Sequence, residues 1–173
     1  MNKKKTIGLG IILTLFILGA VFFMFKDKLP TPGKNSGGSE MPAANAVSEE
    51  ITKGTIVSQT FRNTNNNIKK VEVVFTRLYD LDDVNIAIEL VEGNNTVLKK
   101  TVNVKSIRDQ HRTIVEADSP ITGLSGKDLT IRIYPVTDSD TGVALMINDS
   151  ENTDFSFGSK KMKGTICFCL TSE

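Results

Sequence analysis

The sequence predicts an all-β protein: a jelly-roll-like antiparallel β-sandwich of about eight or nine strands, preceded by one transmembrane helix and a disordered linker. Three observations predict it. Apolar and polar residues alternate beyond residue 50, clusters of turn-forming residues interrupt this alternation, and a long uncharged run lies near the N-terminus. The charge balance, with 21 Lys+Arg against 20 Asp+Glu, argues against a nucleic-acid partner, which would need a basic excess.

The uncharged run covers residues 6–25 and follows a short head, residues 1–5, that contains three lysines. As a helix this run would span about 30 Å, which matches the hydrocarbon core of a bilayer. A cleavable signal peptide is the alternative, but its apolar region is normally shorter and ends at a small-residue cleavage site. The lysines favour a cytoplasmic N-terminus, so we expect a single-pass membrane protein whose C-terminal domain is extracytoplasmic.

Residues 26–50 have the composition of a flexible linker. They contain three of the five prolines, a Gly-Gly pair and several Ser and Asn residues. Such a stretch cannot bury enough apolar surface to offset the entropy of ordering it.

Residues 51–173 are predicted to be the folded domain, because their apolar residues recur with the period of two that is typical of strands. The breaks carry the Asn, Asp, Ser and Gly residues of turns, and a short helical turn is expected near Val104–Asp109. The absence of a Cys–Trp–Cys framework favours a jelly roll over an immunoglobulin fold. The predicted strands are VEVVFTRLY, VNIAIEL, LTIRIYPV, VALMI, TIVSQTF, TVLKKTVNV, RTIVEA and TICFCL.

The two cysteines, Cys167 and Cys169, lie in the last predicted strand. On one extended strand their sulfurs would point to the same face, too far apart for a relaxed disulfide. A zinc site would need more ligands than the single histidine, His111, can supply. We therefore expect both cysteines to be structural, packing as small apolar residues.

Candidate ligand contacts concentrate where the strand VEVVFTRLY ends. Tyr79 is an amphipathic ring at the strand end, and Asp80, Asp82 and Asp83 follow it as an acidic loop. Solvated turn residues are the plainer interpretation of these aspartates. Clustered carboxylates on sandwich loops can also bind calcium, although the alternating ligand spacing of a dedicated calcium loop is missing.

No catalytic constellation is recognisable. No serine or cysteine is placed beside His111 by a known motif, and Asp138 and Asp140 fit a solvated turn. Lys160, Lys161 and Lys163 fit a charged hairpin as well as a surface for anionic polymers. We therefore expect no enzyme activity, no cofactor and no metal. Calcium binding by clustered loop carboxylates is the alternative to this expectation.

The domain resembles the extracytoplasmic jelly-roll domain attached to bacterial membrane glycosyltransferases and other surface-polysaccharide assembly proteins. Gln59 and Phe61 match a G-x-x-x-x-Q-x-F opening in GTIVSQTF, and Asn85 matches an Asn before the third strand's apolar run. A Ser-x-Gly-Lys-type step is matched by Ser125, Gly126, Lys127 and Leu129, with a shift of one residue. The resemblance covers about 120 residues, and it consists mostly of matching positions of strands and turns.

The resemblance implies a non-catalytic accessory or interaction module of the cell envelope, whose partner would be a polytopic membrane glycosyltransferase. The alternative is a module that binds envelope glycans directly, with or without calcium. Its contact residues would be Tyr79, Asp80, Asp82, Asp83 and Asn85.

Overall fold

The computed structural model describes residues 38–80 and 83–172, which form two antiparallel six-stranded sheets. The all-β sandwich expected from the sequence is therefore confirmed at that level. The predicted transmembrane helix at residues 6–25, residues 26–37 of the predicted linker, and Asp82 lie outside the described residues. Within the described ranges, no helix is long and apolar enough to cross a membrane.

The described residues contain twelve strands and one short 3-10 helix, η1, which confirms the predicted helical turn. They are β1 (Ala46–Glu50), β2 (Val57–Arg62), β3 (Asn67–Arg77), β4 (Asn85–Glu92), β5 (Asn95–Asn103), η1 (Val104–Ser106), β6 (Arg112–Thr122), β7 (Asp128–Pro135), β8 (Val143–Asn148), β9 (Asp154–Phe157), β10 (Lys160–Lys163), β11 (Thr165–Ile166) and β12 (Phe168–Thr171).

We call the two layers sheet 1 and sheet 2. Sheet 2 has the unbranched order β10-β9-β2-β7-β4-β5. Sheet 1 has the order β1-β8-β3-β12, with β6 paired to β3 and β11 paired to β8. Alternate residues of both sheets point inward and form one buried apolar cluster, as strand periodicity requires.

The folded domain begins before Ile51, the boundary expected from the sequence. Strand β1 lies inside the range predicted as linker, and it pairs antiparallel with β8, with Ala46 opposite Ile147. Ala46 packs against the core while Val47 is exposed. The short polar sequence AVSEE gives little sign of this, because the strand depends on hydrogen bonds to β8.

The segment TICFCL, predicted as one strand, is divided at Cys167. Strand β11 runs antiparallel to β8, and β12 runs antiparallel to β3, so the chain reverses between them. The Cys167 N–H donates to the Met146 carbonyl (2.9 Å), and its own carbonyl accepts from the Val74 N–H (3.0 Å). Strands β11 and β12 thus form a wedge between β8 and β3, with Cys167 at its tip.

Both cysteines are free and buried, as their structural interpretation requires. Burial raises the pKa of the Cys167 thiol to about 11, and burial together with the charge of Glu72 raises the pKa of Cys169 to about 11. The thiolate, which is the reactive form, is therefore disfavoured at both positions.

Two contacts tie the sheets together through β2. The Gln59 amide donates to the Thr165 hydroxyl (2.7 Å), and its oxygen accepts from the Ile166 N–H (2.8 Å). The Phe61 ring meets Phe168 edge to face, with centroids 4.9 Å apart. The Q-x-F element of the resemblance thus has a structural role, because it binds the last strands to the opposite sheet.

The strand directions place five connections at the same end of the sandwich, which we call the loop end. They are residues 51–56, 78–80 with 83–84, 104–111, 136–142 and 158–159. Gly38, the first described residue, lies at the opposite end, where its carbonyl accepts from the Leu170 N–H (2.6 Å) and from Asn65 (3.2 Å).

Candidate functional site at the loop end

Tyr79 lies at the loop end, directly after β3, with 45% of its surface exposed. Its hydroxyl donates to the Glu50 carboxylate at the end of β1. The same carboxylate oxygen accepts from the Gly142 N–H at 2.9 Å, just before β8. Ends of three neighbouring strands of sheet 1 therefore meet in one hydrogen-bonded cluster.

Gly142 holds the Tyr79 ring in place by close approach. A Cβ at this position would lie 2.8 Å from the Tyr79 carbonyl oxygen and 3.2 Å from the ring. The backbone φ of 66° also lies in the left-handed region, which side chains other than that of glycine seldom adopt. The sequence thus needs glycine here for the ring to rest on the β7–β8 connection.

The hydrogen bond to Glu50 raises the pKa of Tyr79 to about 12, with smaller contributions from burial and from the charges of Glu50 and Asp140. A phenolate beside carboxylates is disfavoured, so the neutral, donating form of the ring is stabilised. Tyr79 is consequently a fixed ring whose hydroxyl is occupied, with part of its surface open to solvent.

The other residues predicted for this site have separate surroundings. Asp80 forms an ion pair with Arg77, and Asp83 has a φ of 58° in the turn that leads to β4. The Asn85 carbonyl accepts from the Val136 N–H at 2.8 Å. Among the described residues, no hydrogen bond or ion pair joins Tyr79, Asp80, Asp83 and Asn85 to one another, and Asp82 lies outside the described ranges.

Asp138 and Asp140 are held by the β1–β2 connection. The Lys53 ammonium lies 2.6 Å from Asp138, and the Lys53 N–H donates to Asp140 at 3.2 Å. In the described part of the chain, no group of three or more His, Cys, Asp or Glu side chains is placed to hold a metal ion. These aspartates therefore serve to connect loops in the described structure.

Exposed apolar side chains concentrate at the loop end. The described residues have six large hydrophobic side chains that are exposed, and four of them lie on these connections: Ile56, Leu78, Tyr79 and Val136. Single exposed apolar residues are ordinary, but several at one end of a domain are typical of an interaction surface.

The sequence pointed to Tyr79 but missed its partners. Glu50 fell within the predicted linker, and nothing local distinguishes it from Glu49. Gly142 belongs to a TDSDTG turn in which its role against a distant ring has no sequence signal. Only the pairing of β1 with β8 brings Glu50 and Gly142 together.

Comparisons with known proteins add no relative from which a function could be transferred. A scan against protein-family models finds no match to this chain, and a search of curated proteins finds no significant match either.

Proposed function

We propose that this chain is a membrane-anchored, extracytoplasmic interaction module without catalytic activity. In this proposal its sandwich is a jelly roll, and it acts as an accessory to a polytopic membrane glycosyltransferase in surface-polysaccharide assembly. The observation that carries the proposal is the group of exposed apolar side chains at the loop end, of which Leu78 and Val136 are 49% and 53% exposed. The buried centres of protein interfaces are more apolar than their rims, so these side chains suit such a centre.

The polar side chains of the loop end support binding rather than chemistry. Tyr79 is engaged by Glu50, Lys53 by Asp138 and Arg77 by Asp80. The Tyr79–Glu50 hydrogen bond, whose acceptor oxygen is shared with the Gly142 N–H, fixes the point where three connections meet, and a preformed surface binds a partner at lower entropic cost.

The arrangement of the chain supports display from a membrane. Residues 6–25 supply the predicted anchor, and the remaining predicted linker, residues 26–37, reaches at most about 40 Å when extended. Gly38 contacts Leu170 at the end opposite the exposed apolar residues. In this proposal the interaction surface is the far end of the domain from Gly38, and the anchor raises its effective concentration near membrane partners.

Affinity purification of the tagged full-length protein from its native membrane in mild detergent tests the proposal. We expect mass spectrometry to find a stoichiometric polytopic glycosyltransferase. The double variant Leu78→Glu/Val136→Glu should lose this partner, because two charges would be buried in the interface. Val47→Glu, which changes an exposed apolar residue on β1, is the matched control and should retain it.

Recovery of the wild-type protein alone would contradict the accessory role. Retention of the partner by the double variant would locate the interface elsewhere and remove the observation that carries the proposal.

Direct binding of envelope glycans is the second candidate, favoured by the half-exposed ring of Tyr79. The Gly142 backbone and the Glu50 carboxylate hold this ring in place, as a stacking platform for a sugar requires. The protein's melting temperature should then rise with the correct polysaccharide, and Tyr79→Ala should abolish the rise. No rise across a broad panel of envelope glycans would count against this candidate.

A further inference from the structure

An open groove of about 570 Å³ lies between the ends of β5 and β6, beside the connection that contains η1. Three basic side chains, those of Arg108, His111 and Arg112, line it. Val102 and Ile114 add apolar surface, and Ile114 is 50% exposed. The volume falls within the range of sites that bind small ligands.

The connection that carries Arg108 and His111 is fixed to the end of β3. One Asp109 carboxylate oxygen accepts from the Thr76 hydroxyl (2.7 Å) and from the Arg77 N–H (2.9 Å), and the Gln110 N–H donates to the Phe75 carbonyl (2.8 Å). Gln110 has a φ of 55°, an unusual conformation for a residue other than glycine. Such conformations persist where surrounding bonds hold them, and they are found most often at functional sites.

The basic groups of the groove retain unused donors. Among the described residues, the Arg108 guanidinium has no hydrogen-bond or ion-pair partner. Arg112 uses one nitrogen for Glu72, at 2.8 Å, and its side chain remains 57% exposed. The His111 Nδ1 lies 2.7 Å from the Asp109 carbonyl oxygen, which can only accept, so Nδ1 carries the proton. In this tautomer Nε2 is the acceptor of the neutral ring, and it is the nitrogen left for a hydroxyl of a ligand.

No carboxylate lines the groove to oppose these groups. The Asp109 carboxylate faces β3 rather than the groove. Its pKa is lowered mainly by the hydrogen bond from Thr76 and secondly by the hydrogen bond from the Arg77 N–H, so it stays ionised there. Glu72 is buried and bound to Arg112. The unpaired charge that faces the groove is therefore positive.

We propose that this groove binds the carboxylate or phosphate group of a small anionic ligand, of the class of sugar acids and sugar phosphates. Arg108 and Arg112 bind the oxyanion through their forked donors, and the His111 Nε2 accepts from a hydroxyl group of the ligand. The aliphatic surface of Ile114 and Val102 packs against the apolar side of the ligand. This inference rests neither on the membrane anchor nor on the partner proposed above.

The single histidine gives a direct test, because His111 is the only source of imidazole signals in the chain. The full-length protein in detergent is titrated, at fixed pH and ionic strength, with glucose 6-phosphate, glucuronate, inorganic phosphate and glucose. The readout is the ¹H–¹³C resonance of the imidazole ring. We expect saturable shifts with glucose 6-phosphate or glucuronate and none with glucose. Inorganic phosphate distinguishes recognition of the oxyanion alone from recognition of the sugar that carries it.

Two charge-matched variants decide whether the groove is responsible. Arg108→Gln should weaken binding about tenfold or more, since it removes charge-assisted hydrogen bonds to the anion. Arg62→Gln removes an arginine that is paired with Asp128 at the opposite end of the domain, and it should leave the affinity unchanged. The proposal fails if neither anionic sugar shifts the resonance, if glucose shifts it equally, or if both variants weaken binding alike.

Discussion

The two sheets of the sandwich differ in regularity. In sheet 2 each strand follows the next in one unbranched order, and register is continuous along β2, β7 and most of β4. In sheet 1 the long strand β3 pairs with β6 on one side and, on the other, with β12 and then β8. The candidate contacts at Glu50, Tyr79, Gly142 and Arg112 all lie at ends of strands of sheet 1. The irregular sheet 1 positions most of the groups proposed to bind ligands and partners, while the regular sheet 2 contributes Val102 to the groove and Val136 to the loop end.

The outer faces of the two sheets also differ in the side chains that they carry. Sheet 2 presents a polar row across four strands, in which Ser58, Arg132, Glu89 and Lys99 lie side by side. Such rows of polar and charged neighbours are what a solvated sheet face requires. The outer side of sheet 1 contains Cys169 opposite Glu72, both buried. The outer side of sheet 1 therefore has a thiol beside a carboxylate, where the row on sheet 2 has only polar and charged side chains.

The largest expected loss of stability is that of Phe61→Ala, which tests whether the two sheets unfold together despite these differences. Phe61→Ala removes a fully buried ring that contacts Phe168 across the layers, and we expect a loss of about 3–5 kcal/mol in the free energy of unfolding. Denaturant titration followed by circular dichroism should show one transition. Val136→Ala, at an exposed position, should change stability by less than about 0.5 kcal/mol. Two separate transitions in Phe61→Ala would show that the sheets are independent.

Gln59→Leu should cost about 2–3 kcal/mol, because it leaves the Ile166 N–H and the Thr165 hydroxyl without their Gln59 contacts. The neighbouring Thr60→Val is the matched control. It removes an exposed Thr60–Thr130 hydrogen bond of 2.9 Å, which should be worth less than about 0.5 kcal/mol. If the same titration gave equal losses in the free energy of unfolding for the two variants, Gln59 would not be a special link between the sheets.

The wedge predicts different outcomes for two chemically identical substitutions. Cys167→Ser places a hydroxyl in a fully buried position and should cost about 1–3 kcal/mol. Cys169→Ser should cost less, because the new hydroxyl can donate to the Glu72 carboxylate opposite it. Comparison of the two midpoints in urea measures the difference. A smaller loss for Cys167→Ser would contradict the position assigned to the wedge.

The smallest effect concerns the cluster at the loop end. Glu50→Gln should lower the pKa of Tyr79 from about 12 toward the ordinary value of 10.0, since the carboxylate stabilises the protonated ring. In wild type this hydrogen bond contributes to stability below pH 10 and is lost as the pH rises through about 12. The chain has two tyrosines and no tryptophan, so ultraviolet titration in a Tyr134→Phe background isolates Tyr79. An unchanged midpoint would exclude Glu50 as the cause.

The sequence predicted the regular strands closely. The segments VNIAIEL and LTIRIYPV correspond to β4 and β7 within two residues at each end, because their alternation reflects burial of a single face. It placed Tyr79 correctly at a strand end beside a loop. Strand β1 and the reversal at Cys167 have no such signal. Both depend on hydrogen bonds to residues about 20 to 100 positions away, as do Glu50 and the fixed position of Arg108.

The contact between Gly38 and Leu170 also determines how the domain would bear mechanical load. Force applied at Gly38 acts first on the Gly38–Leu170 hydrogen bond and then along the axis of β1. Because β1 lies antiparallel to β8, that force shears their shared bonds together instead of opening them one by one. Resistance to such force is set by the rate of unfolding under load. A sandwich held in this way can resist force applied at Gly38 before its loop end is disturbed.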